Sequence, residues 1–231
     1  MRLRLLLACA AAVPAAAIAP VQPAPAQAQR DWTQVVSRTA EGGFRMGNPN
    51  APIKVVEYLS LTCPHCADFA RDAAPSLIRN YVRSGRVSLE YRNFVLNAYD
   101  LAASFLSRCA APQDYFALNH AILADQARWM GRVDALTDAQ RGELQGLRPI
   151  QGMQRIVAWT GLDAIAARHG INAAQARACL ADQAALDRII ELREAGTRLG
   201  VAGTPSFAIN GRLAEGVYDW ASLEPLLGAA P

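Results

Sequence analysis

The part of this sequence best suited to chemistry is Cys63-Pro64-His65-Cys66, two thiols separated by two residues. At this spacing the sulfurs can close a small ring, so the pair can pass between dithiol and disulfide. An exchanger of this kind also needs one sulfur that attacks and leaves readily, and the thiolate rather than the thiol does that. A cysteine at the first turn of a helix meets the demand, because unpaired backbone N–H groups and the helix dipole favour an anion there. Pro64 suits that turn, where its missing N–H would have no partner anyway. His65, as a cation or a donor, favours the thiolate further. The expectation is a Cys63 pKa below the free value of about 8.5, with Cys66 buried one turn in as the resolving thiol.

Two other chemistries share the motif. Cys-x-x-Cys is half of a structural zinc site, which needs two further ligands. The histidines are His65, His120 and His169, and neither Cys109 nor Cys179 has a Cys or His close by in sequence, so no metal and no cofactor are expected. A short structural disulfide is the second alternative, and it leaves Pro64-His65 unexplained.

The flanking sequence supplies the elements that would hold such a site. Ile53–Ser60 is β-branched and apolar, a buried strand running straight into Cys63. Ala67–Val82 has helical spacing with a kink expected at Pro75. Arg86–Phe94 alternates as a second strand, and strand–helix–strand implies a parallel pair with a right-handed crossover. About a hundred residues without strand signal follow. Ala98–Ala110, Asp114–Ala127, Ile150–Ala158, Leu162–His169 and Ala173–Leu199 read as helices, with Gly161 and Gly170 as stops and Gly131–Pro149 as an exposed loop with a short helix. The strand signal returns at Pro205–Ile209, turns at Asn210-Gly211 and runs to Glu215, a hairpin cue. A helix over Trp220–Leu227 ends the chain. The implied fold is α/β, of order β-α-β … β-β-α: residues 51–98 and 200–231 close one sheet, residues 99–199 form an inserted helical domain, and residues 27–50 form an N-terminal arm.

Arg2 and Arg4 precede an apolar run to Ile18 and small-x-small patterns at Ala24-Pro25-Ala26 and Ala26-Gln27-Ala28, so residues 1–26 read as a cleaved signal peptide. The run is short and proline-broken for a span of about 20 residues. Leu6-Leu7-Ala8-Cys9 resembles an acylation site weakly, with few residues before it. Removing Arg2 and Arg4 takes the 23 basic residues to 21 against 20 acidic, and Lys54 is the only lysine, so no nucleic-acid footprint is present. Export to an oxidising compartment, the periplasm, changes the meaning of the cysteines. Cys9 leaves with the signal, four remain, and the close pair leaves Cys109 to bond Cys179.

The segment Val56–Cys66 (Val-Glu-Tyr-Leu-Ser-Leu-Thr-Cys-Pro-His-Cys) resembles the active-site segment of the DsbA family, and Gly203-Thr204-Pro205-Ser206-Phe207-Ala208-Ile209-Asn210-Gly211 is similar to that family's cis-proline strand. The likeness covers roughly residues 50–229. It implies a thioredoxin fold, Cys63 as the nucleophile that forms mixed disulfides, Cys66 as the resolving thiol and His65 as a tuner of the thiolate. It further implies a cis Pro205 facing the cysteines, with the backbone before it free to pair an extended substrate. Glu57 matches a buried acid that moves protons at Cys66. The partners implied are reduced, unfolded exported proteins and a membrane quinone-linked reoxidase of DsbB type. Thr204 stands where the enteric oxidase has Val, which leaves oxidase and isomerase both open; Cys109 and Cys179 are absent from that enzyme, and in this the chain resembles DsbA relatives with a second disulfide in the helical insertion. Isomerases of the superfamily carry an N-terminal dimerisation domain, for which the arm is too short, so the resemblance favours a monomeric oxidase. A reductase, or a chaperone-like module that binds without catalysis, completes the alternatives.

Overall fold

The structure is a computed structural model that describes residues 30–228; the expected signal peptide over residues 1–26 and Cys9 lie outside the described residues. Its centre is β3 (Ile53–Leu59), whose β-branched residues pack well on a pleated surface. It pairs in parallel with β4 (Val87–Asn93) and antiparallel with β5 (Ser206–Ile209). The crossover between β3 and β4 carries α1 (Pro64–Asp72) and α2 (Ala74–Leu77), then a wider π turn over Ile78–Val82. The helix breaks at Ala73, two residues before Pro75, because proline crowds the backbone ahead of it.

The segment read as an arm also contributes to the sheet. β1 (Val36–Arg38) and β2 (Phe44–Gly47) form a hairpin, and β2 pairs antiparallel with β4. With β6 (Arg212–Leu213) at the other end, the order is β1-β2-β4-β3-β5-β6. The edge strands are three and two residues long. The turn between β1 and β2 needs Gly43, since a Cβ there would collide with the Glu90 carboxylate.

Strand alternation gives the sheet two faces. Val55, Leu59, Leu89, Tyr91 and Phe207 face α1, α2 and the helical block, and bury the main core. Val56, Tyr58, Phe94, Val201 and Ala208 form a smaller cluster on the other face. The helical block runs α3 (Ala98–Ser107), α4 (Tyr115–Ala124), α5 (Gln126–Asp134), α6 (Asp138–Gly146), α7 (Pro149–Thr160), α8 (Leu162–Arg168), α9 (Ala173–Cys179) and α10 (Gln183–Leu199); α11 (Trp220–Leu223) follows the sheet. Residues 131–149, expected as an exposed loop with a short helix, complete α5 and carry that helix as α6, which Thr137 and Gln140 start with a reciprocal capping box. The single helix expected over Ala173–Leu199 is two, because the Asp182 carboxylate accepts from the Ala185 N–H and restarts the helix as α10. The ends of α3 and α9 are joined by a disulfide between Cys109 and Cys179, 70 residues apart.

Candidate active site

The sequence places both thiols where β3 hands over to α1. Cys63 is the residue before the first helical turn, in extended conformation, and Pro64 takes the first helical position. Cys66 lies one turn in with no exposure, and Cys63 is 7% exposed. Both sulfurs are free thiols here. Across from them the Thr204–Pro205 peptide is cis. The Cys63 thiol donates to the Thr204 carbonyl oxygen at 3.1 Å. The Thr204 hydroxyl is buried without a partner in this state. It becomes a donor to the sulfur once Cys63 ionises, which is how it helps hold the thiolate.

The two sulfurs are driven apart in acidity. The Cys63 pKa falls from the usual thiol value to about 5, first because the Cys66 thiol donates to it, then through the Thr204 hydroxyl and the backbone N–H groups of Cys66 and His65; burial opposes the fall. Cys66 is pushed well above the usual thiol value, first by burial, then by its hydrogen bond to Cys63 and by the Glu57 and Cys63 charges. Glu57, on β3, is 1% exposed. Its pKa rises to about 8, by burial first and the Cys63 charge second. One of its carboxyl oxygens has no hydrogen-bond partner. His65 reaches Cys63 with its backbone N–H. His65 itself is exposed.

Beside the sulfurs a groove of about 790 Å³ is lined by His65, Phe69, Thr204, Pro205, Tyr218 and Trp220, with Asp68 and Asp72 on its rim. Tyr218, 59% exposed, offers a free aromatic face there.

Two residues that the sequence did not reveal hold this loop still. Asp100, at the start of α3, is fully buried and accepts from the Leu61 N–H and the Leu96 N–H, both at 2.9 Å, and from the Ser104 hydroxyl at 3.1 Å. Gln126, from α5, donates through one amide nitrogen to the carbonyls of Leu61 and Cys63. The helical insertion therefore fixes the backbone that carries the thiols. Cys109 and Cys179 lie in that insertion, in the disulfide between α3 and α9 and outside this site. Among the described residues no cluster of three or more His, Cys, Asp or Glu side chains forms a metal site.

A thioredoxin family model matches residues 39–229. A Rickettsia bellii protein provisionally named a protein-disulfide oxidoreductase is 30% identical over 187 residues, 77% of this chain and 61% of that one. A Rickettsia conorii relative of the same provisional name is 32% identical over 120 residues, 50% of this chain and 43% of its own length. The chain thus spans roughly half the length of these curated relatives. Among solved structures, the protein-disulfide isomerase of Novosphingobium aromaticivorans superposes with a TM-score of 0.74 at 32% identity, covering 80% of this chain and 97% of that one. Wolbachia pipientis alpha-DsbA1 gives 0.63 at 25% identity, covering 79% and 87%. With a matched region that includes the strand before Cys63, the helix after it and the Thr204–Pro205 turn facing it, the chain belongs to the thioredoxin superfamily as a DsbA-type member.

Proposed function

We propose that this protein is a thiol–disulfide oxidoreductase that works as a dithiol oxidase, giving its Cys63–Cys66 disulfide to reduced proteins exported to the periplasm. The observation that carries the reading is the separation of the two sulfurs, with Cys63 at about 5 and Cys66 well above the usual thiol value. A thiolate held at the helix start stabilises the reduced form, and the disulfide form has no such anion. A reduced form that is favoured makes the disulfide an oxidant.

The exchange runs in two steps. A substrate thiolate attacks the Cys63 sulfur, and the Cys66 sulfur leaves, taking the proton of the Glu57 carboxyl group. A second substrate thiol loses its proton to solvent and attacks the substrate sulfur of the mixed disulfide, expelling Cys63 as thiolate. The substrate leaves with a disulfide and the protein is left with two reduced cysteines. The groove beside Thr204 suits an extended segment with an apolar side chain. A membrane quinone-linked protein of DsbB type restores the disulfide, the leader at residues 1–26 directs export, and the protein acts as a monomer.

An isomerase is the second reading, supported by the likeness to the protein-disulfide isomerase of Novosphingobium aromaticivorans and by the Thr204 side chain, which helps lower the Cys63 pKa. The two part on one measurement, the equilibrium of Cys63/Cys66 against glutathione. An oxidase is reduced by glutathione far more readily than an isomerase and refolds reduced ribonuclease without added oxidant in one stoichiometric turnover. A pair that resists glutathione and instead reduces insulin rapidly would mark a reductase.

A further inference from the structure

The exchange described above leaves a proton to be delivered to the interior. Cys66 and Glu57 are both buried, and neither lines the groove beside the sulfurs. The structure offers another way out. Glu57 and Tyr91 are register partners across the parallel β3/β4 pair, so their side chains stand next to each other on the face that α1 covers. The Tyr91 hydroxyl lies 2.9 Å from Nε2 of His120 on α4, the helix packed along α1. The His120 ring meets Tyr91 edge-on with centroids 6.0 Å apart, and Phe116 packs against the tyrosine ring with centroids 4.6 Å apart. His120 is partly exposed, whereas Tyr91 and Glu57 are not.

We propose that Tyr91 and His120 form the proton path between the buried Cys66–Glu57 pair and solvent. The proposal rests on thiol exchange at Cys63 and Cys66 and is independent of its net direction. When the disulfide is reduced, the Cys66 sulfur takes the Glu57 proton. Glu57 is recharged from the Tyr91 hydroxyl, directly or across one water. Tyr91 takes the proton on Nε2 of His120, and the other ring nitrogen takes one from the surface. Reoxidation runs the same steps backwards. A neutral imidazole suits this, since it accepts on one nitrogen and donates on the other. Burial lowers His120 to about 4, so it is neutral near pH 7. Tyr91 sits well above the usual phenol value, through burial first and then the charges of Glu57, Tyr115 and Cys66, so it hands a proton on without resting as phenolate. The groups facing the path are therefore Cys63 just before α1, Cys66 on α1, Glu57 on β3 and Tyr115 on α4.

The test is single-turnover reduction of the full-length oxidised protein by a reduced dithiol peptide, in H2O and in D2O. Tyr91→Phe keeps the ring and His120→Gln keeps a polar side chain. Each should slow the reaction by about tenfold near neutral pH and raise the solvent isotope effect. The double variant should be no slower than the single ones, because both lie on one path. Imidazole added to His120→Gly should restore the rate in a dose-dependent way, which a packing role would not permit. Parental rates and isotope effects in folded Tyr91→Phe and His120→Gln would overturn the path. So would slowing with no change in isotope effect and no rescue by imidazole. A parent protein that does not exchange with the peptide at all would overturn the reading of the site and the path with it.

Discussion

Gln126 holds Cys63 by its backbone: the side-chain amide nitrogen donates to the Cys63 carbonyl at 2.9 Å and to the Leu61 carbonyl at 2.8 Å. Gln126 sits on α5, 63 residues further along the chain, so the nucleophile's position depends on the insertion and not only on the sheet beneath it. Replacing Gln126 by Leu leaves the Leu61 carbonyl without this donor in a buried place, at a cost of about 1–3 kcal/mol. The expected outcome is a lower urea midpoint together with faster amide exchange over residues 60–66. A variant as stable as the parent, with unchanged exchange there, would show that the clamp is dispensable.

The acidity of Cys63 sets a second expectation. Thiolate absorbance near 240 nm should rise with an inflection at about pH 5 in the reduced protein. The folded pKa is depressed, so its contribution to stability is complete above the unfolded thiol value and is lost as pH falls through about 5. At pH 7 the reduced form should be the more stable by about 2 kcal/mol, after discounting for solvent at the exposed helix start. That corresponds to roughly 40 mV of oxidising bias for a two-electron couple. Thr204→Val removes one of the donors, and its inflection should move upward by about one pH unit. An inflection above neutrality in the parent, or an oxidised form that melts at higher urea, contradicts both.

Glu57 works in the opposite sense. Its folded pKa is raised to about 8 from a carboxylate value of 4.5, so the folded state holds a proton that the unfolded state has released. This group alone should therefore lower the stability of the reduced form as pH rises between those values, by up to about 1.4 kcal/mol per unit, and so offset the rise that Cys63 gives above about pH 5. Glu57→Gln should leave the Cys63 rise unopposed, making the slope more positive, and should protonate Cys66 more slowly during reduction. Urea melts from about pH 5 to pH 8 decide it; equal slopes in parent and variant would place Glu57 outside the proton traffic.

The disulfide between Cys109 and Cys179 closes a loop of 70 residues. Chain entropy alone gives such a crosslink about 4 kcal/mol. The paired substitution of both residues by Ala should lower stability by up to that amount and leave the Cys63 titration in place, because Asp100 and Gln126 continue to hold the active-site loop. Thiol counting on the denatured, fully oxidised parent should find none free; two free thiols among the described residues would contradict the crosslink.

The order of elements around the sheet was open to inspection in the sequence because it is written locally. Ile53–Leu59 is apolar and β-branched, Pro64 marks a helix start, and Asn210-Gly211 marks a hairpin. What escaped was either short or distant. β1 and β2 have three and four residues, too few for an alternation to stand out, and their place in the sheet comes from pairing with β4. The restart at Asp182 is a capping signal that lay inside a stretch otherwise rich in helix formers. Thr137-Asp138-Ala139-Gln140 carries a capping-box pattern that fixes where the short helix expected between Gly131 and Pro149 begins, as α6. Asp100, Gln126, Tyr91 and His120 gave no local signal at all. Each matters because of a partner at least 29 residues away, and nothing in spacing reports that.

The short edge strands have a bearing on how such a protein survives its own work. An open row of N–H and C=O groups invites any extended chain to add itself as a further strand. Here β1 offers three residues and β6 two, so the ends of the sheet give an unfolded visitor almost nothing to zip along. Beside the sulfurs, the backbone of Thr204 before Pro205 offers a guest a single peptide, whose carbonyl the Cys63 thiol holds in the free protein. A guest gripped at one point can dissociate as soon as its sulfur is released, and the sheet does not become a seed for its aggregation.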